Sequence, residues 1–314
     1  MTVFLSTLNQ MAFLLLLIGI GYLLAKLRAV PENTATALSK LENNVFIPAL
    51  VLSTFLENCT VEKLGQAWQY LLGGFIAAVI CVVLATTAAR FCSRDGYIRK
   101  IYTYGLAFSN FGFMGNAVVK ALFPEIFMEY LIFTLPFWLL IYLYGVPALL
   151  IPPEGDTKGW KARLKPLLNP MFLAMAAGIV LGLLSPELPA FLTKAAETLG
   201  GCMSPVAMLL TGITIAGFDL KATFRSRSIY AVCFLRLVAL PLLFLAAAAA
   251  AKLPRSLAVC IVAAQAMPLG LNTIVIPSAY GRDTSTAAGM ALISHLLSGV
   301  TIPAVFLLFE KIIA

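Results

Sequence analysis

The stretch Ser109-Asn110-Phe111-Gly112-Phe113-Met114-Gly115-Asn116 lies inside a long apolar segment at positions 98–121. Its two glycines and two asparagines are poor helix formers, and four such residues within eight positions disfavour a continuous helix. A helix that opens in an apolar environment frees backbone N–H and C=O groups, and each unsatisfied group costs several kcal/mol. The sequence therefore predicts an interrupted helix whose open backbone is buried in protein or lines a polar cavity.

The rest of the chain has the composition of an integral membrane protein. Of its 314 residues, 61% are hydrophobic and only 11% are charged, whereas soluble domains carry roughly 25% charged residues. The net charge of +8 is spread over short loops, so we expect no nucleic-acid partner. The six cysteines have no metal-ligand spacing, which predicts no metal site, and nothing in the sequence indicates a cofactor.

Ten apolar segments are long enough to cross a bilayer, since a helix needs about 20 residues to do so. They lie at 4–25, 35–56, 67–91, 98–121, 127–151, 168–185, 190–216, 228–251, 255–279 and 286–312. Fifteen Lys and Arg residues lie in or beside the loops after odd-numbered spans, and six lie on the other side. The positive-inside rule then predicts that both termini face away from the cytoplasm and that the loop at 152–166 is cytoplasmic.

The two halves of the chain resemble each other. Three residue pairs recur at nearly one offset: Pro48 with Pro205, 157 apart, and both Asn116 with Asn272 and Pro147 with Pro303, 156 apart. This pattern predicts two five-helix repeats, 1–151 and 167–314. Because five is odd, the second repeat must enter the membrane from the opposite side, as in many secondary transporters. The alternative is that proline and glycine are simply frequent in membrane helices.

The ninth predicted span is interrupted at the place that matches the fourth. It carries Gln265-Ala266-Met267-Pro268-Leu269-Gly270-Leu271-Asn272-Thr273, where proline and glycine both disfavour a helix. Each half-helix after a break presents unpaired N–H groups and a partial positive charge. Two such helix ends predict an anion site without a formal cation, and neither break contains Asp, Glu or Lys. The candidate substrate-binding residues are Asn110, Gly112, Gly115, Asn116, Gln265, Met267, Pro268, Gly270, Asn272 and Thr273. Alternatively, the polar members only satisfy the broken backbone.

Four motifs carry a resemblance to a known family. They are LENNVFIPALVLSTF at 41–55, AFSNFGFMGNAV at 107–118, SPVAMLLTGITIA at 204–216 and QAMPLGLNTIVIPSAYGRDTSTAAG at 265–289. Together they span essentially the whole chain, and the motifs of the fourth and ninth spans are the most specific. The chain resembles the auxin efflux carrier family, whose members include the plant PIN-formed auxin exporters and bacterial carriers of small organic acids.

The resemblance implies an all-α membrane protein of ten helices in two inverted five-helix repeats. The fourth and ninth helices would be broken and crossed, similar to the bile acid–sodium symporter fold. It also implies an elevator mechanism, in which helices three to five and eight to ten move against a scaffold of helices one, two, six and seven that often dimerises. Asn110 matches the family's substrate-contacting asparagine, and Pro268 the crossing proline.

The chain departs from the plant members at two positions. Ser109 and Ala117 stand where the plant exporters have proline, so the fourth helix is expected to break through Gly112 and Gly115. The long cytoplasmic loop of many plant members is missing, which favours a bacterial-type carrier in the inner membrane. The substrate class that the resemblance implies is a small organic anion, either a malonate-like or malate-like acid or an auxin-like indole acid.

Three further residues are weaker candidates for the site. Arg236 lies well inside span eight and is expected to hold substrate charge, to pair with an acid such as Glu42, or to reach a membrane surface. His295, the one histidine, suits proton coupling, although a buried neutral histidine is the more common outcome. Asn43 in span two faces either the substrate path or neighbouring helices.

These features favour a secondary transporter of organic anions over other classes. The chain has no HExxH motif and no GxSxG motif, so an intramembrane enzyme with catalytic residues is the remote alternative. The nearer alternative is a sodium-coupled organic-anion symporter of the bile-acid type. Coupling to H⁺, to Na⁺ or to no ion stays open, since the membrane potential by itself can drive an anion outward.

Overall fold

The computed structural model describes residues 2–151, 170–217 and 225–313, and within them the chain is helical apart from turns and one isolated β-bridge. The first half contains α1 (Thr2–Lys26), α2 (Thr34–Leu41), α3 (Ile47–Asn58), α4 (Val61–Gln66), α5 (Trp68–Cys92), α6 (Gly96–Ala107), α7 (Asn116–Leu122) and α8 (Phe127–Leu140). The second half contains α9 (Pro170–Leu184), α10 (Ala190–Ala216), α11 (Arg227–Phe234), α12 (Leu240–Ala250), α13 (Arg255–Ala266), α14 (Asn272–Ala279) and α15 (Ser285–Ile312). The predicted loop at 152–166 lies outside the described residues.

Five helical stretches are long and apolar enough to cross a membrane, judged by length and composition. They are Trp68–Cys92, Pro124–Leu150, Ala190–Ala216, Arg227–Ala250 and Ser285–Ile312. Apolar helical stretches of 10–17 residues, at Ala12–Lys26, Pro170–Leu184 and Arg255–Ala266, lie in three further predicted spans. The structure therefore supports an all-helical membrane protein with five clear spans.

The helices of spans four and nine are interrupted, as the sequence predicts. Span four divides into α6 and a second part that begins at Phe111, and span nine divides into α13 and α14. The two first parts have the same length, 12 residues each. The short helices that follow begin at Asn116 and at Asn272, the pair that recurs 156 residues apart in the sequence. The same succession of broken helix and long helix thus occurs twice along the chain.

Four π-helical segments occur among the described residues, and the sequence analysis did not predict them. They are Glu42–Phe46, Phe111–Gly115, Ile141–Leu150 and Leu235–Ala239. Two of them end just before a proline, Pro48 or Pro241, and Ile141–Leu150 contains Pro147. A proline ring collides with the carbonyl four residues earlier, and a widened turn relieves that collision. Glu42, Asn43 and Arg236 lie in these turns and are buried.

Glycines let α1 and α10 pack with their backbones in contact. A Cβ atom added to Gly212 on α10 would overlap the Ile18 carbonyl oxygen and the Tyr22 amide nitrogen of α1. A Cβ atom added to Gly21 on α1 would likewise overlap the Leu209 carbonyl oxygen. Membrane helices associate through such small residues, because lipid is as apolar as a side chain and close packing supplies the attraction.

Gly212→Ala is therefore expected to lower the thermal unfolding temperature of the detergent-purified protein. The added methyl group meets backbone atoms that cannot turn away, and overpacking of this kind costs about 1–3 kcal/mol. Gly201→Ala on the same helix is the matched control, because nothing lies within 4 Å of its Cβ position. Equal unfolding temperatures for the two variants would contradict the proposed backbone contact.

Candidate functional site at two interrupted helices

The two interruptions meet and pair with each other. We call the stretches Phe108–Asn110 and Met267–Leu271, which lie between the helices, the crossing. An antiparallel β-bridge joins their centres, at Ser109 and Leu269. The hydrogen bonds run from the Asn110 N–H to the Pro268 carbonyl (2.7 Å) and from the Gly270 N–H to the Phe108 carbonyl (3.1 Å). Each break thus satisfies backbone groups of the other, which an open chain in an apolar interior requires.

The glycines of the fourth span do not open its helix, which corrects the expectation that Gly112 and Gly115 form the break. The backbone leaves the helical path earlier, at Phe108–Asn110, and is already π-helical from Phe111 to Gly115. A Cβ atom on Gly112 would overlap the Trp138 ring, and one on Gly115 would overlap the Tyr130 hydroxyl. These glycines therefore make room for aromatic rings, and the pairing between the two breaks holds the helix open.

Asn110 contacts His295 in the interior of the protein. The Asn110 side-chain nitrogen lies 3.3 Å from His295 Nε2, and both residues are buried. His295 Nδ1 lies 2.8 Å from the Ala291 carbonyl, which can only accept a hydrogen bond. In the neutral ring Nδ1 therefore carries the hydrogen and Nε2 accepts from the amide of Asn110. The histidine fixes the orientation of the asparagine at the start of the second half-helix.

The polar side chains of the ninth span already have hydrogen-bond partners, either on other helices or in the local turn. Asn272 donates through its side-chain nitrogen to the Tyr104 hydroxyl at 2.9 Å, which links α14 to α6. Thr273 donates to the carbonyl of Gly270 at 3.0 Å, so its hydroxyl serves the local turn. Gln265 is also engaged, because its side-chain oxygen accepts hydrogen bonds from Arg236 (3.0 Å) and from the Cys81 thiol (3.4 Å).

Two asparagines lie beside the crossing with side-chain oxygens that have no hydrogen-bond partner among the described residues. Asn116 begins α7, and its Oδ1 is buried. Asn43 donates weakly through Nδ2 to the Val275 carbonyl of α14 at 3.4 Å, whereas its Oδ1 has no donor. Asn43 thus contacts the half-helix after the second break.

Arg236 is buried against the ends of both interrupted helices, with 1% of its surface exposed. It donates to the carbonyls of Leu106 (2.7 Å), Gln265 (2.7 Å), Met267 (3.2 Å) and Ala264 (3.4 Å) and to the side chain of Gln265 (3.0 Å). It reaches no membrane surface and does not pair with Glu42, whose carboxylate oxygens have no partner among the described residues. The guanidinium group instead caps α6 and α13 at their carboxyl ends.

This arrangement makes the crossing electropositive. The carboxyl end of a helix carries a partial negative charge of about half a unit, and its last carbonyls lack partners within the helix. Arg236 neutralises two such ends with one full positive charge. The starts of the half-helices at Phe111 and Asn272 keep their partial positive charges. Span eight thus adds a formal cation at the crossing to the partial charges of the helix starts that the sequence predicted.

A cavity of about 510 Å³ lies beside α6 and is lined by basic residues. Its walls are Thr86, Arg90, Arg99, Lys100, Thr103, Tyr144 and Leu149. Thr103 precedes Tyr104, which accepts the hydrogen bond of Asn272 at the crossing. Sequence analysis assigned these three basic residues only to membrane orientation; their grouping around one cavity depends on how α5, α6 and the segment Ile141–Leu150 pack.

Membrane-length apolar helices and two interrupted helices that pair inside the protein define a polytopic membrane protein of the transporter class. Comparison with known proteins identifies the family. A family model described as a membrane transport protein matches residues 6–155 and 159–306, so the chain belongs to this family, which includes the auxin efflux carriers. No curated protein matches the chain. The resemblance drawn from the four sequence motifs is confirmed.

Proposed function

We propose that this protein is a secondary transporter of small organic anions and that it binds the substrate carboxylate at the crossing. The observation that carries the proposal is the buried Arg236, whose charge is bonded to carbonyl groups and, among the described residues, to no acid. A buried positive charge beside two helix starts favours an anionic ligand. Membership of a transporter family favours transport over intramembrane catalysis.

The proposed contacts to substrate come from side chains and from backbone. Asn110 and Asn272 would donate their remaining amide hydrogens, since each has one hydrogen bond from that group in the structure. Asn116 and the N–H groups after each break would add further donors. The other candidate residues would shape the site, because their backbone or side chains are already engaged in packing or hydrogen bonds. They are Gly112, Gly115, Gln265, Met267, Pro268, Gly270 and Thr273.

The proposed architecture is that of ten spans in two inverted repeats, 1–151 and 167–314. The repeated succession of 12-residue helix, break and short helix supports it. In the proposed elevator mechanism the helices of spans three to five and eight to ten carry the crossing past a scaffold of spans one, two, six and seven. That scaffold would form a homodimer in a bacterial inner membrane, with both termini away from the cytoplasm.

The basic cavity would collect the substrate. Arg90, Arg99 and Lys100 are exposed at its walls, whereas Thr103 is buried. Charges that line a concave surface raise the local concentration of oppositely charged ligands. An organic anion would therefore gather in this cavity before it reaches the crossing.

Counterflow in proteoliposomes tests the proposed function. Vesicles loaded with unlabelled malonate, malate or an indole acid are expected to accumulate the same labelled acid from outside, with saturation. Protein-free vesicles measure leakage. Labelled alanine, offered in excess in place of the labelled acid, measures charge selectivity. Replacing external Na⁺ by choline tests the sodium-coupled alternative. Absence of saturable exchange for every carboxylate would overturn the carrier proposal.

A further inference from the structure

A second polar group lies inside the protein, where span two contacts α14. Glu42 is fully buried in the first π-helical turn, and neither of its carboxylate oxygens has a hydrogen-bond partner among the described residues. The Ser39 hydroxyl and the Asn43 side-chain oxygen are buried and lack partners in the same way. We call Ser39, Glu42 and Asn43 the Glu42 cluster. Glu42 and Asn43 follow Ser39 by three and four residues, the spacing of neighbours on one helical face.

Among the residues that the structure describes, no charged side chain near the Glu42 cluster compensates a carboxylate. The elements packed against the turn are α2, α3, α9, α10 and α14. Their titratable groups are Lys40 on α2, Glu57 on α3, and Lys194, Glu197 and Cys202 on α10, while α9 and α14 carry none. All four charged groups are exposed, and Cys202 is partly buried. Arg236, the buried cation of the described residues, is bonded to carbonyl groups at the crossing.

A proton would satisfy this cluster. An ionised carboxylate that is buried without a partner costs several kcal/mol. The three unpartnered oxygens of Glu42 and Asn43 accept hydrogen bonds, whereas the cluster offers two donors, the Ser39 hydroxyl and the second amide hydrogen of Asn43. A proton on Glu42 removes the charge and adds the missing donor. Among the described residues no group of three or more His, Cys, Asp and Glu side chains could hold a metal ion.

We propose that Glu42 binds the proton that is coupled to substrate movement, an inference that rests on the proposed transport function. The cluster contacts the moving part of the site, because Asn43 donates to the Val275 carbonyl in α14, the half-helix that follows the second break. A shift of α14 past α2 would break this contact and expose the cluster. The O–H bond of Glu42 would then break, and the proton would pass to water.

The first test measures the proton directly and does not require a known substrate. Infrared spectra of the purified protein at neutral pH are expected to contain the C=O stretching band of a protonated carboxyl group. Glu42→Gln keeps the size and neutrality of the side chain and is expected to remove this band. Glu310→Gln is the matched control, because Glu310 is exposed and ion-paired with Arg255 at 2.8 Å. A band of full intensity in Glu42→Gln would overturn the proposal.

The second test links the proton to transport, with malonate as the probe. With the membrane potential held at zero, a pH gradient of about one unit supports about tenfold accumulation of an anion that moves with one proton. Wild-type vesicles are expected to reach this accumulation, while Glu42→Gln exchanges malonate but does not accumulate it. Equal gradient-driven uptake by both proteins would overturn the role of Glu42 and leave the carrier intact. Absence of exchange in the wild type would instead count against the proposed function with this acid.

Discussion

Arg236→Leu is expected to abolish transport and to lower the stability of the protein. The variant removes the group that bonds the Leu106 and Gln265 carbonyls, each at 2.7 Å, at the ends of two interrupted helices. A buried carbonyl without a partner costs about 1–3 kcal/mol, so the loss is about 2–6 kcal/mol for these two. The crossing also loses its formal positive charge. Thermal unfolding in detergent and malonate counterflow measure the two effects.

Two further variants separate charge from capping. Arg236→Lys keeps the charge, but an ammonium group is compact and cannot reach both helix ends as a planar guanidinium does. We expect it to unfold at an intermediate temperature. Arg255→Leu is the matched control, because this arginine is exposed and pairs with Glu310, which contributes at most about 1 kcal/mol. If Arg236→Leu unfolded at the same temperature as Arg255→Leu, the capping role would be wrong.

Asn110→Asp is expected to remove carboxylate binding almost completely. The substitution changes few atoms, yet it replaces an amide donor by a negative charge at the place proposed for the substrate carboxylate. A hydrogen bond to a charged group contributes about 1.5–3 kcal/mol, and repulsion adds to that loss, so affinity should fall by about 100-fold or more. The measurement is the thermal shift that a panel of carboxylates produces in the wild type and in the variant.

Asn33→Asp makes the same chemical change outside the site. Asn33 is exposed before α2, and its side chain makes no capping hydrogen bond there. This control is expected to keep the full carboxylate shift. Asn110→Ala complements it, because it removes the donor to His295 without adding charge. If both Asn110 variants kept the wild-type shift, Asn110 would not belong to the binding site.

Much of the fold could be predicted because its signals are local. An apolar segment of membrane length, a proline or a pair of glycines each affects the backbone near its own position, so both interruptions were found from the residues themselves. The offset between Asn116 and Asn272 likewise located the starts of two corresponding short helices. Three of the π-helical turns also have a local signal, a proline within the turn or shortly after it.

The site was harder to predict because its contacts join distant parts of the chain. Asn110 bonds to a residue 185 positions away, and Asn272 to one 168 positions away. Arg236 and His295 stand out in the sequence, but their partners do not follow from it. The sequence also led to the wrong role for Gly112 and Gly115, since a glycine that opens a helix and one that admits an aromatic ring look alike in a sequence.

The sequence by itself determined that this is a membrane protein of the transporter family, with two helices that cannot remain continuous. Composition and local backbone cost are properties of short segments, and they do not depend on what lies opposite. Only the tertiary structure decided which groups pair with the open backbone of the two breaks. The breaks pair with each other through the bridge between Ser109 and Leu269, and Arg236 bonds the carbonyls at both helix ends. These groups pair because buried hydrogen-bonding groups need partners, even when the partners lie far apart in the sequence.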